Sequence, residues 1–200
     1  MKSTQEHGVR SVPSREARAH EPASDAELMS ALRTHDIVAL DTLVRRHWTR
    51  LFHYVTRRVG RADDAEDVAQ EVFVRLWEGR TTWQPGGSAQ GYMYRIARNL
   101  IMDSARHEQV RERTADDVRQ LARRTPSPID DAVHGELSRA LEEALSRLPT
   151  RRREAFLLVR FQGLTLAEAA EAMDLAPQTV ANHVYLAATD LAAALHPHLT

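Results

Sequence analysis

The stretch L-T-L-A-E-A-A-E-A-M-D-L-A-P-Q-T-V-A-N-H-V-Y, Leu164 to Tyr185, carries the start and stop signals of two short helices. Thr165 and Glu168 form a capping box, which satisfies two orphan amide donors at a helix start. Ala169, Ala170 and Met173 fall on one helical face. Asp174 stands where the chain must turn sharply, and Asp tolerates a left-handed conformation better than most side chains. Pro177 then takes a favoured first helical position. Two short helices with small residues at their crossing make a helix-turn-helix, whose second helix can lie in the DNA major groove. Yet from Phe161 to Thr200 there is no Lys or Arg. Phosphate neutralisation supplies much of the affinity of such modules. The grip on DNA must therefore come from elsewhere in the chain, or from a partner.

Composition narrows the class. The chain has 200 residues, 42% hydrophobic and 28% charged, with a formal net charge of −1. That suits a soluble globular protein of one or two small domains. Lys2 is the only lysine, so nearly every cation is Arg, the better fork for phosphate and carboxylate. There is no cysteine, which excludes disulfides, thiolate metal sites and cysteine nucleophiles. It also fits a reducing, cytoplasmic setting. No apolar run approaches the roughly 20 residues of a membrane span. The N-terminus lacks the apolar core of a signal peptide.

The expected fold is all-α: two small helical domains joined by a flexible linker, the second a helix-turn-helix. Residues 1–23 are polar and aperiodic, with Pro13 and Pro22, and read as a disordered extension. The first domain spans 24–107. Ser24 and Glu27 make a capping box there, and Asp36 opens a longer helix ended by Gly60. That helix carries Leu40, Val44, Trp48, Leu51, Val55 and Val59 at helical spacing. Asp63 caps the next helix, and Ser88 caps one reaching about His107. Residues 108–127 alternate in charge and end at Pro126 and Pro128, which marks the linker. The second domain spans 128–200. Its first helix starts at Ser127 and Pro128 and stops at Pro149, and another begins at Thr150.

Two motifs in the first domain carry chemistry. D-A-E-D-V-A-Q-E-V-F-V-R-L-W, Asp64 to Trp77, sets Asp67, Gln70 and Glu71 beside an apolar stripe. Spacing alone allows an ordinary solvated face on a core helix, or an acidic strip that docks a basic partner. G-Y-M-Y-R-I-A-R-N-L-I-M-D-S-A-R, Gly91 to Arg106, turns Met93, Ile96 and Leu100 to the core. Arg95, Asn99, Asp103 and Arg106 share the opposite face. Tyr92, Tyr94 and Trp83 place aromatics beside these arginines. Aromatics stack unpaired bases for about 1–3 kcal/mol each, and Arg holds phosphates. Asn and Arg also read base edges. The bland alternative pairs Arg95 with a neighbouring acid and buries the tyrosines.

These motifs, in this order and followed by a tether and a helix-turn-helix, resemble the extracytoplasmic-function (ECF) sigma factors of bacterial RNA polymerase. The resemblance covers roughly Asp25 to Leu195 and rests on D-A-E-D-x-x-Q-E-x-F-x-x-x-W and Y-R-I-A-R-N-L-x-x-D. L-S-R-L-P-T-R-R-R-E-A-F, Leu145 to Phe156, resembles the start of that family's −35 binding domain. The resemblance implies a factor that binds core polymerase, directs it to −35 and −10 promoter elements and helps melt the −10 DNA. Asp67, Gln70 and Glu71 would meet the β′ clamp helices, with the β subunit as a further contact. Tyr92, Arg95, Arg98 and Asn99 match the positions that receive a flipped −10 base, and Trp83, Asp103 and Arg106 flank them. The linker would thread into the RNA path. Gln178, Thr179, Asn182 and His183 would read the −35 element. The family usually carries Lys or Arg at positions matching Ala181, His183, Leu186 and Ala188. Here Arg151, Arg152 and Arg153 are the candidates to hold the phosphates instead. An anti-sigma factor is a further partner common in the family.

Two other function classes fit the sequence less well. A stand-alone helix-turn-helix regulator would leave the acidic strip of Asp67, Gln70 and Glu71 without a task. An enzyme would need a motif that is missing: there is no Gly-rich phosphate loop and no nucleophile motif. His196 and His198 form a pair with no third ligand, and His47 and His53 are off a common face. No cofactor, metal site or catalytic residue is expected.

Overall fold

The computed structural model describes residues 23–59, 62–114 and 135–198. Among them every regular element is helical. The N-terminal half holds α1 (Asp25–Arg33), α2 (Ile37–Val59), α3 (Ala62–Glu78) and α4 (Ala89–Thr114). The C-terminal half holds α5 (Gly135–Arg147), α6 (Thr150–Phe156), α7 (Leu166–Met173) and α8 (Pro177–Leu195). Apart from Ala23, the expected N-terminal extension lies outside the described residues, as do Gly60 and the helix start at Ser127.

The capping chemistry forms as the sequence predicts. Ser24 Oγ accepts from the Glu27 amide at 3.3 Å, while Glu27 Oε2 accepts from the Ser24 amide at 2.7 Å. Asp36 Oδ1 takes the amides of Val38 and Ala39 at the head of α2. Ser88 Oγ accepts from the Gly91 amide at 3.0 Å at the head of α4. Three boundaries differ. α3 begins at Ala62, so Asp63 lies in the first turn, where a carboxylate still complements the helix dipole. α4 runs to Thr114, seven residues past the expected end at His107. Those residues, E-Q-V-R-E-R-T, contain neither Gly nor Pro to stop a helix. After α6 the chain makes a π-turn, Leu157–Phe161, in which the Gln162 amide reaches back to the Leu157 carbonyl at 3.0 Å.

α2 buries Ala39, Leu43, His47, Leu51, Tyr54 and Val55. Leu40, Val44, Trp48 and Val59 lie on the flank of that stripe rather than at its centre. The stripe is centred about a residue away and takes in a histidine. His47 is 4% exposed and its Nε2 stands 2.7 Å from Asp25 Oδ2. A carboxylate only accepts, so Nε2 carries the proton. Burial pushes the His47 pKa down, against the attraction of Asp25, and the net direction is down. Arg46 also reaches Asp25, which pins the first turn of α1 to α2.

The two halves do not stand apart. One hydrophobic cluster runs from Leu28 in α1 to Val184 in α8. α4 packs along α7, with Ala97, Ala169 and Ala170 all buried. Small residues let two backbones approach closely, and here the approach is extreme at Gly91. A β-carbon added there would meet the Glu168 carbonyl oxygen at 3.1 Å. The C-terminal half keeps a satellite core of its own, built from Ala144, Leu145, Leu148, Leu157, Ala187 and Leu191.

Candidate functional site

Helix α3 buries Ala65, Ala69, Val72, Phe73 and Leu76, and so turns its acidic residues outward. Asp67 and Gln70 are exposed and Glu71 is half-buried. Gln70 Nε2 donates to Glu66 Oε1 at 3.2 Å, and Arg75 Nε pairs with Glu71 at 2.7 Å. Val74 continues the same ridge and is 48% exposed. It is a member that the acidic pattern did not mark: an apolar point at the foot of a charged strip.

The candidate nucleic-acid residues on α4 divide in two. Arg95, Asn99, Asp103 and Arg106 are exposed, as their spacing predicts. Trp83, Tyr92 and Arg98 are turned inward. Trp83 lies in the core, its carbonyl held by Arg33 Nη1. The Tyr92 ring lies below the Arg95 guanidinium, 5.1 Å from its centroid, and its hydroxyl reaches the Gly79 carbonyl at 3.5 Å. A β-carbon at Gly79 would meet that hydroxyl at 2.6 Å, so this glycine makes room for the ring. Arg98 Nε faces Glu154 Oε1 at 2.9 Å, and Arg58 Nη1 faces the same oxygen at 3.8 Å. Glu154 is 3% exposed. Its sequence context, R-R-R-E, gave no sign of burial.

Beside this ion cluster, Tyr94 donates its hydroxyl to Gln162 Oε1 at 3.1 Å. Burial pushes both Tyr54 and Tyr94 well above the ordinary tyrosine range, so both stay protonated. At the head of α4, Ser88 Oγ donates to Glu168 Oε1 at 2.8 Å and the Ser88 amide donates to Glu171 Oε2 at 3.2 Å. Burial pushes the Glu168 pKa up, but hydrogen bonds from Thr165 and Ser88 outweigh it and the net direction is down.

The helix-turn-helix forms as predicted. Thr165 and Glu168 make the capping box, Asp174 adopts φ 54° and ψ 52°, and Pro177 opens α8. Gln178 and Asn182 are exposed and joined by a 3.2 Å hydrogen bond, with Thr179 and His183 half-buried beside them. Tyr185 extends this ridge and is 71% exposed. It lies three residues from Asn182 on the same helical face, a spacing that marks it as a neighbour of the candidate readers. Of the three arginines at the start of α6, Arg151 is exposed, Arg153 is half-buried and Arg152 pairs with Asp190 of α8 at 2.9 Å.

Comparison with known proteins explains why an acidic strip, an Arg/Asn helix face and a helix-turn-helix occur together. The family model for Sigma-70 region 2 matches residues 43–111, and that for Sigma-70 region 4 matches residues 138–191. The ECF RNA polymerase sigma factor SigM of Mycobacterium tuberculosis is 31% identical over 159 residues, covering 78% of this chain and 77% of that protein. This chain belongs to the ECF sigma factors. SigE of Mycolicibacterium smegmatis is also 31% identical, over 72% of this chain and 57% of its own length. The solved structure of CnrH in complex with the cytosolic domain of CnrY shares the fold, with a TM-score of 0.65 at 24% identity over 86% of this chain and 97% of that one. RpoE of Bartonella quintana, solved with the anti-sigma factor NepR, has a TM-score of 0.62 at 20% identity over 78% of this chain and 96% of that one. In ECF terms, α2 to α4 supply region 2 and α5 to α8 supply region 4. Sigma factors are transcription initiation factors that direct polymerase to promoters. Among the described residues no helix is long and apolar enough to cross a membrane.

Proposed function

We propose that this sigma factor docks on the β′ clamp helices of core polymerase through Asp67, Gln70 and Glu71, with Val74 packing beside them. Arg95, Asn99, Asp103 and Arg106 meet the −10 element, and Gln178, Thr179, Asn182 and His183 meet the −35 element. Arg151, Arg152 and Arg153 supply the phosphate contacts that α8 lacks. The observation that carries this reading is the orientation of α3 and α4. Each buries its apolar stripe and leaves its charged strip free for a partner. Arg98 reaches the −10 base only when Glu154 releases it, while Trp83 and Tyr92 support the site from within region 2. We assign the chain no catalytic step of its own, and place its work in the cytoplasm where polymerase and promoters are.

Region 2 then extends to the end of α4 at Thr114. The two solved relatives were each captured with another protein, CnrY and NepR. A protein of that kind, an anti-sigma factor, is a fitting partner here as well. Run-off transcription with purified core polymerase on genomic DNA tests the function directly. Discrete transcripts that need both proteins are expected. Binding of duplex promoter DNA by the chain alone, with no effect on polymerase, would favour a stand-alone regulator.

A further inference from the structure

The outward ridge of α8 is neutral. Gln178, Asn182, Tyr185 and Thr189 follow one another at steps of four, three and four, which sets them on one helical face, and all are exposed. No Lys or Arg stands anywhere in α8. The commonest base contact, a forked Arg or a Lys on the two acceptors of guanine, is therefore missing from this helix. A pair of amides stands in its place. Gln178 Nε2 donates to Asn182 Oδ1 at 3.2 Å, which fixes the two groups against each other. The bond leaves the Gln178 carbonyl oxygen as an acceptor beside the Asn182 amino group as a donor. Exchanging the roles of the two amides would again leave one acceptor beside one donor. Further along, the ridge turns apolar. The Tyr185 ring is 71% exposed, more than any other large apolar side chain among the described residues. Thr189 commits its hydroxyl to the Tyr185 carbonyl at 3.1 Å.

We propose that this ridge selects an adenine and a nearby thymine: Gln178 and Asn182 read the adenine as a unit, and Tyr185 packs on the thymine methyl group. The proposal rests on the placement of α8 at the −35 element and goes beyond it by naming the bases. In the major groove adenine shows the acceptor N7 beside the N6 amino donor. The Asn182 amino group meets N7 and the Gln178 carbonyl meets N6, so both edges are satisfied. Guanine shows two acceptors there, N7 and O6. The Gln178 carbonyl would face O6, acceptor against acceptor, and the amide cannot turn away without breaking its bond to Asn182. Tyr185 lies about 4.5 Å beyond Asn182 along the helix, at about 1.5 Å per residue. Base pairs step by about 3.4 Å, so the ring meets a pair one or two steps from the adenine. Thymine is the base that carries a methyl group in this groove, and an apolar side chain is its natural contact.

The test uses the holoenzyme and a promoter recovered by run-off transcription, with its −10 element intact and its −35 region randomised. Selection for transcription should enrich an adenine with a thymine one or two pairs away. Replacing that adenine with 7-deazaadenine, which lacks N7, should weaken promoter binding about fivefold, the low end of what a paired base contact discriminates. Replacing the thymine with uracil, which lacks the methyl group, should weaken it about fourfold, the effect of burying one such group. The two losses should separate by variant. Asn182→Ala should abolish the 7-deazaadenine effect and keep the uracil effect. Tyr185→Ala should do the reverse, and Tyr185→Phe should keep both. Gln178→Arg should move the first preference from adenine to guanine. Enrichment of guanine in place of the adenine by the unaltered chain, or losses that persist in the two Ala variants, would overturn the base assignment and leave α8 as a −35 reader. No enrichment anywhere in the randomised region would overturn the −35 reading itself, and the base assignment with it.

Discussion

Arg152 is tied to Asp190: Nη1 of the arginine lies 2.9 Å from Oδ2 of the aspartate, joining the start of α6 to the last turns of α8. Asp190 is the only charged residue that the sequence places within α8. It occupies one of the arginines that the cation-free helix needs for phosphate contact. Asp190→Asn should release Arg152. Promoter binding by the holoenzyme should then depend more steeply on salt, by about 0.9 in log–log slope if Arg152 takes a phosphate. Adding Arg152→Gln to Asp190→Asn should abolish that increase. Equal slopes across a salt series would remove Arg152 from the interface.

Replacing Asp67, Gln70 and Glu71 with Ala should leave the helical circular dichroism unchanged, because none of the three is in the core. Affinity for core polymerase should fall by about 2 kcal/mol or more if these side chains are central anchors. Val74→Asp should weaken the same complex, since it sets a charge where an apolar point faces outward. Titration of labelled chain with core enzyme measures both. Undiminished affinity in the triple variant would place the polymerase contact elsewhere.

His47 gives the fold a pH dependence of definite sign. Its pKa is lowered in the folded state from an ordinary 6.5. Below 6.5 the unfolded chain therefore binds a proton more readily than the folded one. The stabilisation from neutral His47 is complete above pH 6.5 and is lost as the pH falls through the folded value. Thermal melts should show the midpoint falling as the buffer is taken below 6.5. His47→Gln keeps a donor for Asp25 and removes the titration, so this part of the dependence should flatten. A variant that loses stability with acid as steeply as the parent would point to another group.

Asp174 holds a left-handed backbone, φ 54°, at the turn between α7 and α8. A β-branched side chain fits that conformation poorly. Asp174→Val should cost about 1–2 kcal/mol, the strain of a left-handed residue with a crowded β-carbon. Asp174→Gly should be far milder, since glycine relieves the strain. Urea denaturation of the pair decides this: equal losses would mean that the aspartate carboxylate, not the backbone, secures the turn.

The sequence carried those parts of the fold that depend on near neighbours. Ser24, Asp36, Ser88 and Thr165 each cap a helix through an amide within three residues, and Asp174 and Pro177 act on their own backbone. The exposed faces of α3, α4 and α8 followed from helical period. What the sequence concealed are the pairings between distant segments. Glu154 is 96 residues from Arg58 and 56 from Arg98, and Gln162 is 68 from Tyr94. Nothing in R-R-R-E distinguishes a buried carboxylate from a solvated one. Trp83, Tyr92 and Arg98 fit a nucleic-acid surface by residue type, yet Trp83 packs in the core, the glycine at 79 admits the Tyr92 ring, and Glu154 draws Arg98 inward.

The π-turn at Leu157–Phe161 acts as a phase shifter. One extra residue in a helical path rotates everything after it by about 100°, the angle between successive residues at 3.6 per turn. That rotation leaves Phe161 outside, under the Arg57 guanidinium at 4.4 Å, and brings Gln162 inside to meet Tyr94. Region 4 thus depends on the number of residues between Thr150 and Thr165 as much as on their identity. Deleting Val159 would remove one aliphatic side chain and, with it, the extra step, throwing the helix-turn-helix out of step with region 2. In this segment, length is itself a coded quantity.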